Sequence, residues 1–168
     1  MTINTKTLAA IDIGTNAIRL FISNVEEYPT ETLFKKIAFL RVPIRLGEDV
    51  FTTGEIGQQK GKRLCETMQG FSYIMSAFNV ESYKAYATCA MREARNGKSV
   101  AEQIQKECDL NIEIISGTKE AETIFAGGMN EVVDDDKTYL YVDVGGGSTE
   151  VIVYSKSVKV EACSFPLG

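Results

Sequence analysis

The 168 residues include no histidine, no tryptophan and only three prolines. Without histidine, the histidine general bases, the usual Ser-His and Cys-His dyads and the common zinc sites are all excluded. Any chemistry must draw on carboxylates, basic side chains, backbone amides or a hard metal ion. Long apolar runs are missing as well: none approaches the roughly 20 residues of a membrane-spanning helix. The start, "MTINTKTLAAIDIG", passes almost directly into a strand pattern with no signal-peptide core, which predicts a cytoplasmic protein without a membrane partner. Net charge is −5 and no block of lysine or arginine occurs, which argues against a nucleic-acid partner. Cys65, Cys89, Cys108 and Cys163 form no CxxC pair and read as small buried hydrophobes in a reducing compartment.

What remains is ordinary for a soluble globular chain, with 44% hydrophobic and 24% charged residues and a length suited to one domain. Leu8 to Ile13 and Ala17 to Val25 read as strands joined at "GTN", and Leu33 to Leu46 continues as β-rich chain. The period then changes. Leu64, Met68, Phe71, Ile74 or Met75, and Phe78 recur at helical spacing, and Thr52 with Glu55 forms a candidate capping box. A strand over Tyr83 to Cys89, a helix over Lys98 to Cys108 and a strand over Ile112 to Ile115 follow. "TKEAETIFAGG" predicts a helix closed by Gly127 and Gly128, and "DDD" at Asp134 to Asp136 a solvated turn. Thr138 to Val144, Glu150 to Tyr154 and Val158 to Ser164 complete a β-meander. The order of elements predicts a single α/β domain.

One pattern occurs twice. "LAAIDIGTNAIRLFI" and "LYVDVGGGSTEVIVY" each run from an apolar strand through Asp, an aliphatic residue and Gly into a small polar turn and a second apolar strand. Asp12 and Asp143 hold equivalent places, which predicts two halves of one site. A carboxylate within a strand is costly unless it is paired, hydrogen-bonded or metal-bound. Gly145, Gly146, Gly147 and Ser148, with Gly14, Thr15 and Asn16 from the first hairpin, offer backbone amides that close around phosphate oxygens, glycine allowing close approach and positive φ. Neither GxxxxGK[ST] nor GxGxxG is present.

"AAIDIGTNAIRLFI", "YATCAMREARN", "IEIISGTKEAETIFAGG" and "YVDVGGGSTEVIV" together resemble the successive signature segments of the exopolyphosphatase / guanosine pentaphosphate phosphatase family. The resemblance implies a ribonuclease-H-like lobe of the actin, sugar-kinase and Hsp70 ATPase superfamily, with a mixed central β-sheet flanked by helices. "CSFPLG" resembles the passage into a second lobe, so residues 1–168 are expected to be the N-terminal phosphate-binding lobe. The implied activity is release of terminal phosphate from polyphosphate, or conversion of guanosine pentaphosphate to tetraphosphate. A small-molecule kinase of the same superfamily and a non-catalytic phosphate-binding lobe stand as alternatives, and a homodimer of the full-length protein is left open.

By the same resemblance Glu120 matches the glutamate that activates water, although Lys119 stands where the family often has a second acid. Arg92 matches an arginine that neutralises charge on the transferred phosphoryl group. Asp143 and Glu150 match acids that hold Mg²⁺ or another divalent cation, and Asp12 matches the first-hairpin acid, which binds the metal, often through water, or positions the nucleophile. Asp143 is expected to be the more sensitive of the metal-binding acids, its strand reading as buried on both faces. Arg45, in "IRLGED", is a candidate substrate-phosphate contact.

Overall fold

A computed structural model describes residues 4–127, 136–156, 158–165 and 167–168. Strands β1 (Asn4–Ile13), β2 (Ile18–Glu27) and β3 (Thr32–Val42) form an antiparallel meander, and β4 (Ser82–Ala87) and β5 (Glu113–Ile114) extend it in parallel on the β1 side, in the order β3-β2-β1-β4-β5. Alternation along the strands sends Ile11, Ile13, Ile18, Leu20 and Ile22 to one face, where all are buried. Helix α2 (Gln58–Ala77) covers this face because Leu64, Met68, Phe71 and Met75 share one side of it; α4 (Gly97–Cys108) adds Ile104 and Cys108. Burying each large apolar side chain contributes roughly 1.5–3 kcal/mol. The opposite face of the sheet, with Asp12, Arg19, Phe21 and Phe39, fronts a cleft.

A second, antiparallel sheet contains β6 (Thr138–Val144), β7 (Thr149–Ser155) and β8 (Val158–Phe165) in that order. Its inner face packs Ile152 and Tyr154 against Ala121 of α5 (Gly117–Ala126), with Tyr139, Tyr141 and Ala162 around them. Among the described residues β6 is an edge strand. Leu140, Val142 and Val144 are exposed on its outer side, so it is not buried on both faces as its sequence predicts. An apolar run marks a candidate for burial, but no described element covers that side.

Other departures concentrate between residues 43 and 58. The strand stops at Val42; Arg45 adopts a left-handed conformation (φ 58°) and Leu46 opens a short helix, α1 (Leu46–Thr53). Thr52 is therefore no N-cap: it lies in the last turn of α1 and donates its hydroxyl to the Glu48 carbonyl at 2.7 Å. Gly54 (φ 79°) ends α1 in the left-handed cap that glycine favours, its N–H donating to the Val50 carbonyl. A five-residue helix, α3 (Cys89–Glu93), occupies the end of the expected strand. The linker from α3 to α4 is pinned to the α1–α2 linker by Asn96, whose amide group accepts from the Ile56 N–H and donates to the Ile56 carbonyl, both at 2.9 Å. Cys65, Cys89 and Cys108 are buried as expected, whereas Cys163 is exposed on β8. Gly128, Asp134 and Asp135 lie outside the described residues, and Asp136 is exposed at a turn. Among the described residues no helix is long and apolar enough to cross a membrane.

Candidate functional site

The sequence repeat is a repeat of geometry. In the first hairpin the Gly14 N–H donates to the Ala17 carbonyl at 3.2 Å, and in the second the Gly145 N–H donates to the Ser148 carbonyl at 2.8 Å. Register then sets what opposes each aspartate: Asp12 pairs with Arg19, and Asp143 with Glu150. The first acid is neutralised within its own hairpin by an Arg19–Asp12 ion pair. The second hairpin places two carboxylates directly opposite each other.

Positive φ is not what the glycines provide. Among the described glycines only Gly54 occupies the left-handed region, and Gly14, Gly145, Gly146 and Gly147 do not. Space is the requirement at two of them. A Cβ on Gly146 would lie 2.8 Å from Asn16 Cγ, and one on Gly147 would lie 2.7 Å from Phe51 Cε2 and 3.1 Å from Cys89 Sγ. The turns meet across the two sheets, and only hydrogen atoms fit between them.

Glu150 is 2% exposed and accepts a hydrogen bond from the Ser164 hydroxyl at 2.9 Å. The first turn of α5 lies alongside, since a Cβ on Gly117 would be 3.9 Å from Glu150 Oε1. The positive end of that helix favours the anion. Asp143 opposite is half-buried, so Glu150 is the more enclosed of the two, contrary to expectation. Like charges facing each other across strands, one of them buried, destabilise the pair unless a cation joins them. Glu120 also sits in the first turn of α5, where the Ser116 hydroxyl accepts from the Lys119 N–H at 3.2 Å. Burial first, then the Glu150 carboxylate, pushes the Glu120 carboxyl above the usual range, while the hydrogen bond and charge of Arg92 pull the other way. Arg92, from α3, reaches Glu120 at 3.4 Å and donates to the Ile115 carbonyl at 3.1 Å.

These groups border one cleft of about 740 Å³ between the two sheets and α5. Asp12, Gly14, Thr15 and Asn16 line it from one side, Asp143, Gly145, Gly146, Ser148 and Glu150 from the other, and Glu120 from α5. Arg92 joins through Glu120, and Gly147 turns toward Phe51. Arg45 is not among the lining residues; it pairs with Glu48 on the exposed side of α1. Among the described residues no three acidic, cysteine or histidine side chains converge enough to enclose a metal ion by themselves. Two participants escaped the sequence. Arg19 follows Asp12 by seven residues as Glu150 follows Asp143, so the repeat itself carried that signal. Ser164 had none, because its place opposite Glu150 depends on the β7–β8 register. A separate groove of about 600 Å³ between α2 and α4 lies away from all these residues.

The similarities to known proteins span the same segments. The model of the Ppx/GppA phosphatase family matches residues 11–168. A bifunctional 3-dehydroquinate synthase/phosphatase of Fusobacterium nucleatum is 34% identical over 146 residues, 84% of this chain and 22% of that protein. A putative exopolyphosphatase of Haemophilus influenzae is 28% identical over 150 residues, 89% of this chain and 45% of that one. The crystal structure of an exopolyphosphatase from Cytophaga hutchinsonii superposes with a TM-score of 0.85 at 29% identity, over 97% of this chain and 51% of that one. That of the Ppx/GppA family member from Aquifex aeolicus gives 0.83 at 26% identity, over 98% and 52%. The chain thus spans about half of these structures, and less than half of the two curated relatives. The ethanolamine utilization protein EutJ of Carboxydothermus hydrogenoformans, with a TM-score of 0.52 at 13% identity, shares the fold alone.

Proposed function

Because the chain belongs to the Ppx/GppA phosphatase family, we propose that it is the N-terminal phosphate-binding lobe of a cytoplasmic phosphohydrolase that removes the terminal phosphate from inorganic polyphosphate, with the 5′ end of guanosine pentaphosphate as a second substrate of the same chemistry. The observation that carries this reading is the pair of hairpins with one turn geometry and different charge logic. Each presents a small-residue turn to the cleft, but only the second leaves two acids facing each other without a basic side chain opposite either.

Asp143 and Glu150 are hard oxygen donors of the type that suits Mg²⁺, and the incomplete enclosure leaves coordination positions for phosphate oxygens and water. A bound divalent cation would supply charge neutralisation for the terminal phosphates. Backbone amides at Thr15 and Asn16 and at Gly146–Ser148 orient the phosphate chain, those of Gly14 and Gly145 being used within their own turns. Glu120, held partly desolvated, takes a proton from water as the water oxygen bonds to the terminal phosphorus; the bridging P–O bond breaks and its electron pair leaves with the shortened chain. Arg92 balances negative charge on the phosphoryl oxygens and on Glu120. A second lobe, in keeping with the greater length of the relatives, encloses the cleft and excludes water.

The test is phosphate release from short polyphosphate, with and without Mg²⁺, by this chain and, where the gene extends further, by its complete product. Binding by the chain and Mg²⁺-dependent release by the complete product are expected. Glu120→Gln should lower turnover about 10²–10⁴-fold with affinity little changed. Absence of binding and of release in both proteins would refute the reading.

A further inference from the structure

Beside the direct contact of Gly146 with Asn16, the two turns are linked through a ring that belongs to neither hairpin. Helix α1 is tied to the first hairpin at its start: the Arg45 N–H donates to the Asn16 carbonyl at 3.0 Å, and the Gly47 N–H to the Thr15 carbonyl at 3.1 Å. Four residues after Gly47, on the same side of the helix, Phe51 lies against it, and a Cβ on Gly47 would come within 2.9 Å of Phe51 Cε2. The same ring reaches the second hairpin, where a Cβ on Gly147 would fall 2.7 Å from that carbon and closer still to Cζ. Phe51 is therefore wedged between two glycines, one hydrogen-bonded to the first turn and one within the second. Phe51 remains 52% exposed. Cys89 also borders the second turn, since a Cβ on Gly147 would lie 3.1 Å from its sulfur.

We propose that Phe51 is a positioning residue: it sets the spacing of the two cleft-facing turns and thereby the width of the phosphate cradle. The second half of that statement rests on the reading of the cleft as a phosphate site. A cradle of backbone amides works only at hydrogen-bonding distance, with donors about 2.7–3.1 Å from the oxygens they serve. A displacement of about 1 Å in a bound group can cost on the order of 10²-fold in rate. The ring acts through shape, not by touching the substrate.

A double-mutant cycle tests this, with inorganic tripolyphosphate as the probe and calorimetric affinity as the readout. In parallel, amide hydrogen exchange is followed across 143–150. Gly147→Ala drives a methyl group into the ring and should weaken binding about tenfold or more. In the Phe51→Ala background the ring is gone and only the Cys89 sulfur, at 3.1 Å, still crowds the added methyl, so the same substitution should cost less. Phe51→Ala alone should speed exchange in the second turn, and Phe51→Met, which refills the volume flexibly, should restore affinity. Melting curves establish that each variant is folded; where Phe51→Ala is not, Phe51→Leu replaces it. Equal cost of Gly147→Ala in both backgrounds, with exchange unchanged, would overturn the proposal. If the parent does not bind tripolyphosphate, the phosphate reading fails while the exchange cycle still decides whether Phe51 spaces the turns.

Discussion

At Glu120 the demands of folding oppose those of the catalytic role proposed for it. Its carboxyl is raised above the ordinary glutamate value of 4.5 by burial and by Glu150, with Arg92 offsetting part of the effect. The folded chain consequently holds this proton to higher pH than the unfolded chain does. Stability from this group is present below 4.5 and lost as pH rises from there through the folded-state value. Glu120→Gln, which keeps the shape and cannot ionise, should therefore melt above the parent at pH 8 in metal-free buffer. The difference should shrink toward pH 4, and circular dichroism melts across that range measure it. Coincident melts at pH 8 would make Glu120 an ordinary surface acid. The substitution that removes the proposed proton acceptor is thus expected to stabilise the fold, a conflict common at catalytic positions. In the sequence, Glu120 was visible as an acid opening a helix, and Asp12 and Asp143 as repeats of one another. The ion pair at Asp12 and the burial of Glu150 were not, because each depends on which residue lies across a strand.

Among the elements, those with a sustained period were legible and the short helices α1 and α3 were not. Leu64, Met68, Phe71 and Met75 mark α2 unambiguously, and alternation marks β1 and β2. Helix α1 has eight residues, among them Val50, Phe51, Thr52 and Thr53, which individually favour strands. Its conformation is decided by bonds made elsewhere, notably the Gly47 N–H to Thr15, and such bonds leave no local trace. Asn96 plays the same kind of role between linkers. Asn96→Ala would leave both the N–H and the carbonyl of Ile56 without this partner, and an unmet backbone group typically costs about 1–3 kcal/mol. Urea unfolding should show a loss of that order, with Asn96→Asp, which keeps only an acceptor, falling between. An unchanged midpoint would mean that water replaces the amide without cost.

For the molecule as a whole, the sequence revealed the two halves of the cleft but not how differently they are supported. β1 is enclosed between β2 and β4, whereas β6 has a strand neighbour on one side only among the described residues. Two strands with nearly the same sequence pattern and the same aspartate therefore stand in unlike positions, one central and one at a rim. The consequence is a difference in time. Backbone amides of β1 can exchange with deuterium only when the five-stranded sheet opens, whereas β6, an edge strand among the described residues, needs only local fraying. Deuterium uptake followed by peptide mass should be fast over 138–144 and slow over 8–13. Equal protection in the isolated chain would mean that something else covers the rim. Addition of a strand along that rim should slow uptake in β6 while leaving β1 as it was, so the weaker half of the cleft would report its own completion.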